Sequence, residues 1–240
     1  MLSRIRVVLS HTSHPGNIGA SARAMKTMGL ERLFLVRPKQ FPHAEATARA
    51  SGADDVLAAA TVCADLDTAL HGCILVAGAS ARNRSIHCPT LGPAGFARTA
   101  VGESAKGDVA LLFGCEQSGL SNSELDRCNF LVQIATSPAY GSLNLAAAVQ
   151  ILCYELRVAV LSGSAAVPDS STVSPAPADD MERFYAHLEQ VLVQLDFLDP
   201  DNPRQLMRRL RRLYNRARPD ANEMNILRGI LTAIEGRLKA

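Results

Sequence analysis

The chain has no tryptophan, and aromatic residues make up only 5% of its 240 positions. Hydrophobic residues still reach 48%, so any core built from them is aliphatic. Lysine is scarce: Lys26, Lys39, Lys106 and Lys239 stand among 25 basic residues, and the others are arginine. The six cysteines, Cys63, Cys73, Cys88, Cys115, Cys128 and Cys153, form no C-x-x-C pair, which argues against a zinc site. Several sit within apolar runs, where a thiol packs as a small hydrophobe, and this usage fits a reducing cytoplasm. No apolar signal core precedes the first strand pattern. No uninterrupted apolar run reaches membrane-spanning length; the longest candidate, 143–161, is broken by Asn144, Gln150, Glu155 and Arg157. The formal net charge is only +2, so bulk electrostatics announces no polyanionic partner. The G-x-G-x-x-G fingerprint is missing as well, which disfavours a dinucleotide site.

What is present is an alternation of strand and helix signals over residues 1–161. Strand patterns fall at 5–10, 33–36, 73–78, 109–113 and 130–135. Helical patterns fall at 17–28, 44–50, 94–104 and 143–161, the first with Gly29 placed to terminate it. Such alternation implies an α/β fold with a mainly parallel sheet flanked by helices. Residues 162–179 are mostly Gly, Ser, Ala, Pro, Thr and Asp, the composition of a linker. Residues 180–240 show no strand signal. Apolar residues at helical spacing (Phe184, Leu188, Val191, Leu192, Leu195; Leu206, Leu210, Leu213; Ile226, Leu227, Ile230, Leu231, Ile234) predict a small all-helical extension.

Three distant stretches place small polar residues where strands end, and open α/β sheets build their sites there. In the first, Gly16 to Ala24, Asn17 can be a helix N-cap, and Arg23 can be an ordinary surface residue two turns on. In the second, Gly114 to Gly119, Gly114 admits close approach of a ligand, and Glu116 can orient a hydroxyl or an arginine. Cys115 as a nucleophile lacks an assigned base. In the third, Gly141 to Asn144, Ser142 fits an N-cap, while Asn144 is a poor helix former whose amide then has another task. Charge clusters complete the set. Arg82 and Arg84 lie on a polar loop suited to a phosphate chain, or to plain solvation. Residues 202–218 carry seven arginines, Arg204, Arg208, Arg209, Arg211, Arg212, Arg216 and Arg218, without one acid. A charge run is often only a solvated face, but arginine clusters also neutralise phosphates, so RNA contact is expected here.

Taken together, Asn17 to Lys26, Gly78 to Arg82, Phe113 to Leu120 and Ser142 to Ala146 resemble the SPOUT methyltransferases, in the SpoU/TrmH-like branch of RNA 2′-O-ribose methyltransferases. The resemblance covers residues 1–161 and extends less specifically to the helical tail. It implies a deep trefoil knot at the C-terminal end of the α/β part and an obligate homodimer. It implies S-adenosyl-L-methionine as cofactor, held by Ala79, Ser80, Ala81, Gly114, Ile134, Gly141, Ser142 and Leu143, with no metal. It makes Arg23, Glu116, Ser142 and Asn144, supported by Asn17, the catalytic neighbourhood, with Arg23 acting on the partner chain's cofactor. It implies tRNA as partner, methylated on the ribose of cytidine or uridine at anticodon-loop position 32, and the charge clusters make Arg82, Arg84, Arg204, Arg208, Arg211 and Arg212 its expected contacts. A ribosomal RNA substrate and a non-catalytic RNA-binding homologue remain the alternatives. Two positions depart from the family pattern: Cys115 replaces a basic residue, and Ala79 a hydroxyl residue.

Overall fold

The computed structural model describes residues 1–81, 88–163 and 174–238. Among them, seven strands form one sheet: β1 (Ile5–Ser10), β2 (Arg32–Val36), β3 (Thr61–Cys63), β4 (Cys73–Ala79), β5 (Thr90–Leu91), β6 (Asp108–Phe113) and β7 (Phe130–Val132). Their order across the sheet is β3-β2-β1-β6-β4-β7-β5, and every pairing is parallel. Helices α1 (Pro15–Met28), α2 (Ala44–Ala50), α3 (Asp54–Ala58), α4 (Leu66–Leu70), α5 (Pro93–Glu103), α6 (Asn122–Leu125) and α7 (Leu145–Leu161) lie between and after the strands.

The pleat sorts the apolar residues onto two faces. Ile5, Val7 and Leu9 of β1 and Val109, Leu111 and Phe113 of β6 join the larger core, with Ile18, Met25, Phe96, Val149 and Leu152 from the helices. Val8, Ala110 and Leu112, the residues between, face the opposite core with Leu70, Leu120, Leu125 and Cys128. Both faces of the central strands are therefore covered, which is why they read as continuous apolar runs.

Beyond this layer, α8 (Ala178–Gln194), α9 (Leu206–Ala217) and α10 (Ala221–Leu238) share a third core of Phe184, Tyr185, Leu188, Val191, Met224 and Leu231. Tyr214 stands edge-on to Phe184, with ring centroids 4.9 Å apart. The expected helical tail is thus present, and α8 opens at Ala178, inside the expected linker. Leu195, Ile226 and Ile230 are exposed instead of packed.

Several boundaries differ from the sequence reading. α1 begins at Pro15 with His14 as N-cap, because proline has no N–H to satisfy in a first turn. Asn17 therefore lies inside the helix, not at its cap. α7 begins at Leu145 and Asn144 caps it, accepting from the amides of Ala146 and Ala147; Ser142 lies two residues before the cap, outside the helix. β7 stops at Val132, since the following residues leave the sheet to line a cleft.

Gly19 makes the crossing of α1 over α2 possible: a Cβ there would lie 2.0 Å from the carbonyl oxygen of Ala46. No backbone can yield that much without separating the helices. Gly19→Ala is expected to cost about 3 kcal/mol or more, read as a lowered thermal midpoint, whereas Ala20→Ser, one residue on, leaves the midpoint nearly unchanged.

Candidate active site

The loop after β6 turns back on itself. Gly119 adopts φ 67° and donates its amide to the carbonyl of Cys115 at 2.7 Å. A Cβ on Gly114 would sit 2.3 Å from the Gly119 carbonyl carbon, so glycine at 114 is required by the chain's own return. The chain itself fills the space where a Cβ would lie, and Gly114 also borders the cleft described below.

This turn drives Glu116 sideways into the β1–α1 loop. Its Oε2 accepts from the Ser13 amide and the Ser13 hydroxyl, both at 2.9 Å. Its Oε1 accepts from Asn17 Nδ2 at 2.9 Å and from the His14 amide at 3.3 Å. Burial pushes the carboxyl pKa up, but the bonds from Asn17 and Ser13 outweigh it and hold the pKa down at about 2. Glu116 is therefore ionised at neutral pH and has no proton to exchange there. Asn17 in turn accepts through Oδ1 from Asn144 Nδ2 at 3.0 Å, and Asn144 Oδ1 caps α7. Glu116, Asn17 and Asn144, 127 positions apart at the extremes, form one hydrogen-bonded chain.

Beside this chain, at the C-terminal ends of β4, β6 and β7, lies a cleft of about 140 Å³. Ala79, Ser80, Ala81, Gly114, Ile134, Gly141, Ser142 and Leu143 all line it, and so does Glu116. Its apolar walls are Phe113, Val132, Ile134, Leu143 and Leu145. The loop from Thr136 to Gly141 is closed by the Thr136 hydroxyl, which donates to the Gly141 carbonyl at 3.2 Å. Arg23 is not among the lining residues and stands on the exposed side of α1. Arg82 and Arg84 lie outside the described residues.

Sequence reasoning missed Ser13, which supplies two of the four bonds to Glu116. The available signal was a hydroxyl residue one place before the N-cap, just past a strand end. Cys115 donates through Sγ to Glu116 Oε2 at 3.9 Å, a carboxylate whose pKa of about 2 makes it too weak a base to take a thiol proton. The other five cysteines are buried, and burial pushes the thiols of Cys73 and Cys153 up to about 11 and about 12, which makes them inert packing groups. Among the described residues no cluster could hold a metal ion, and no helix is long and apolar enough to cross a membrane.

The arginines of the tail divide. Arg208 and Arg211 are engaged internally, by Asp126 at 2.8 Å and Glu182 at 2.6 Å. Arg204, Arg209 and Arg216 are exposed.

Comparison with known proteins places the chain in a family. Residues 4–154 match the SpoU rRNA Methylase family, and residues 179–240 match the C-terminal domain of the tRNA methyltransferase TrmJ. The chain is 54% identical to the tRNA (cytidine/uridine/adenosine-2′-O-)-methyltransferase TrmJ of Pseudomonas aeruginosa, covering 97% of this chain and 94% of that one. It is 52% identical to the tRNA (cytidine/uridine-2′-O-)-methyltransferase TrmJ of Sodalis glossinidius, covering 98% and 92%. Among solved structures, TrmJ from Z. mobilis superposes with a TM-score of 0.84 at 30% identity, covering 96% of this chain and 98% of that one. The chain belongs to the SpoU methylase family, in its TrmJ branch.

Glu116→Gln puts an amide N–H against donors that now meet a carboxylate. It is expected to lower stability by about 1–3 kcal/mol at neutral pH. The sign with pH follows from the depressed pKa. Ionised Glu116 stabilises the fold above its unfolded value of 4.5, and that contribution fades as pH falls towards about 2. Acid titration of the thermal midpoint is expected to be flatter between these limits in the Gln variant than in the wild type.

Proposed function

We propose that the chain transfers a methyl group to the ribose 2′-hydroxyl of cytidine or uridine at anticodon-loop position 32 of tRNA, using S-adenosyl-L-methionine. The observation that carries this reading is the convergence of Glu116, Asn17, Asn144 and Ser142 beside one apolar cleft. Relatives near half identity over almost the whole chain bear the names of tRNA 2′-O-methyltransferases, which favours tRNA over ribosomal RNA. Cysteine usage suits action in the cytoplasm.

The cleft fits the cofactor in kind. Apolar side chains suit a flat heterocycle, and the carboxylate of Glu116 on the same wall has the sign complementary to a sulfonium. When bound, S-adenosyl-L-methionine supplies a methyl group already activated for attack. The protein's contribution is then mainly position. Glu116 fixes the β1–α1 loop, Asn17 and Asn144 fix the start of α7, and Ser142 stands exposed at the cleft's edge. The ribose hydroxyl must lose a proton. Arg23 remains protonated as a guanidinium, so its role is to hold the hydroxyl or the adjacent phosphate by charge and a planar fork.

Arg23 lies outside the cleft of its own chain, so one chain alone lacks part of the site. The occupant we assign is a second copy of this chain. In support, α7, along which α1 packs, exposes Tyr154, Val158 and Leu161 at one-face spacing. A homodimer closing over this face would carry Arg23 towards the partner's cleft. The knot belongs to the same reading, as the means by which the loops around Gly114 and Gly141 are held together. Residues 1–161, 162–179 and 180–240 serve as catalytic domain, linker and tRNA-binding extension.

Nucleoside mass spectrometry of tRNA from a deletion strain is expected to show loss of the 2′-O-methyl group at position 32; an unchanged nucleoside there refutes the assignment. Arg23→Lys keeps charge but loses the fork. Turnover is expected to drop roughly 10- to 100-fold, equivalent to about 1.5–3 kcal/mol, with S-adenosyl-L-methionine binding by calorimetry retained. Mixing inactive Arg23→Ala with inactive Asn144→Ala is expected to restore part of the activity, because mixed dimers then hold one intact site; no recovery counts against the shared site.

A further inference from the structure

Helix α9 carries its charge on two faces with different neighbours. Arg208, Arg211, Arg212, Asn215 and Arg218 recur at three- and four-residue steps and point inward. Arg208 Nε donates to Asp126 Oδ2 at 2.8 Å, and Arg218 Nη2 donates to Glu103 Oε2 at 2.8 Å, both carboxylates belonging to the α/β layer. Arg211 donates to Glu182 Oε1 at 2.6 Å, and its guanidinium lies 4.4 Å from the ring centroid of Tyr185. Asn215 is buried: Nδ2 donates to the Asp126 carbonyl at 2.9 Å, and its own carbonyl accepts from Asn129 Nδ2 at 3.0 Å. Asn129 is itself paired with Val76 of β4. Arg212 is half-buried, with Nε and Nη1 enclosed, and it faces Cys88.

The other face runs Arg209, Leu213, Arg216, again one helical stripe, with Arg204 in the turn before it. All four side chains are exposed. Helix geometry alone separates the two sets, since 209 and 216 are two turns apart on one line.

We propose that α9 works as a clasp on one side and an RNA rail on the other: Arg208, Arg212 and Arg218 fasten the tail to the α/β layer, Arg211 holds α9 to α8, and Arg204, Arg209 and Arg216 contact the phosphate backbone of the substrate. This rests on the tRNA reading above and narrows the sequence expectation, which gave RNA contact to the whole run of seven arginines and singled out Arg204, Arg208, Arg211 and Arg212. The physical reason is that a guanidinium held by a half-buried carboxylate is already neutralised, whereas an exposed one is still available to replace counterions on phosphate. The outward stripe and the turn before it have three guanidinium groups within a segment that holds no acid, the charge that a polyanion complements.

The test compares two variants of the full-length protein with an unmodified tRNA transcript, measuring affinity across a salt series and the thermal midpoint. Arg204→Gln/Arg209→Gln/Arg216→Gln is expected to bind at least about tenfold more weakly at low salt. Its log–log salt slope should flatten by about one per arginine removed, with the midpoint unchanged. Arg208→Gln/Arg211→Gln is expected to lower the midpoint while keeping the salt slope of whatever fraction is folded. A triple variant with wild-type affinity and slope overturns the proposal, and so does an inward variant that loses slope at an unchanged midpoint. Wild-type protein that fails to bind tRNA at any salt concentration overturns the tRNA reading itself, a result distinct from either.

Discussion

One half-buried carboxylate ties the site together. Glu116 leaves the end of β6, crosses to the end of β1 and takes four donors there. Without it, the Ser13 and His14 amides of the β1–α1 loop would lose the acceptor that joins that loop to the end of β6. Desolvating a charged group is costly, and only a full complement of donors makes it favourable. The packing of the sheet brings the strand ends together; the carboxylate decides how the loops meet. The cleft inherits its shape from that meeting, because Gly114 and Glu116 form one wall and the α7 entrance, fixed through Asn17 and Asn144, forms another.

Much of this was legible in the chain. β1, β4 and β6 show as apolar runs because both faces are covered, and the body of α7 shows because its length exceeds any strand. The site stretches were legible for another reason: Asn, Glu, Ser and Asn at strand ends serve no core. What remained hidden depends on distance. β5 is two residues long at a sheet edge and carries too little pattern to detect. The start of α7 was misplaced by two residues because Ser142 and Asn144 are both good caps, and only the bond to Asn17, far away in sequence, selects between them. Local counting likewise could not say which arginines of α9 find carboxylates, since Asp126 and Glu103 lie about 80 and 115 positions away.

The helical tail also reads differently once packed. By composition it is a positively charged appendage on a linker. In the fold it is fastened through Asn129 and Asn215 to β4, the strand whose end opens onto the cleft. Arginine is suited to this double use: its stem covers apolar surface, its plane stacks on Tyr185, and its fork still reaches a carboxylate. A lysine-rich helix of equal charge would lack both the stacking plane and the fork.

The chain of polar contacts at the site also has a direction. The first amides of α7 donate to Asn144, Asn144 donates to Asn17, and Asn17 donates to Glu116. An anion can only accept, so its charge dictates which way each carboxamide turns, and every dipole in the series ends up aligned head to tail. Aligned links polarise one another. The positive end of a seventeen-residue helix and the negative charge at the end of a distant strand are thereby wired in series along the wall of the cleft.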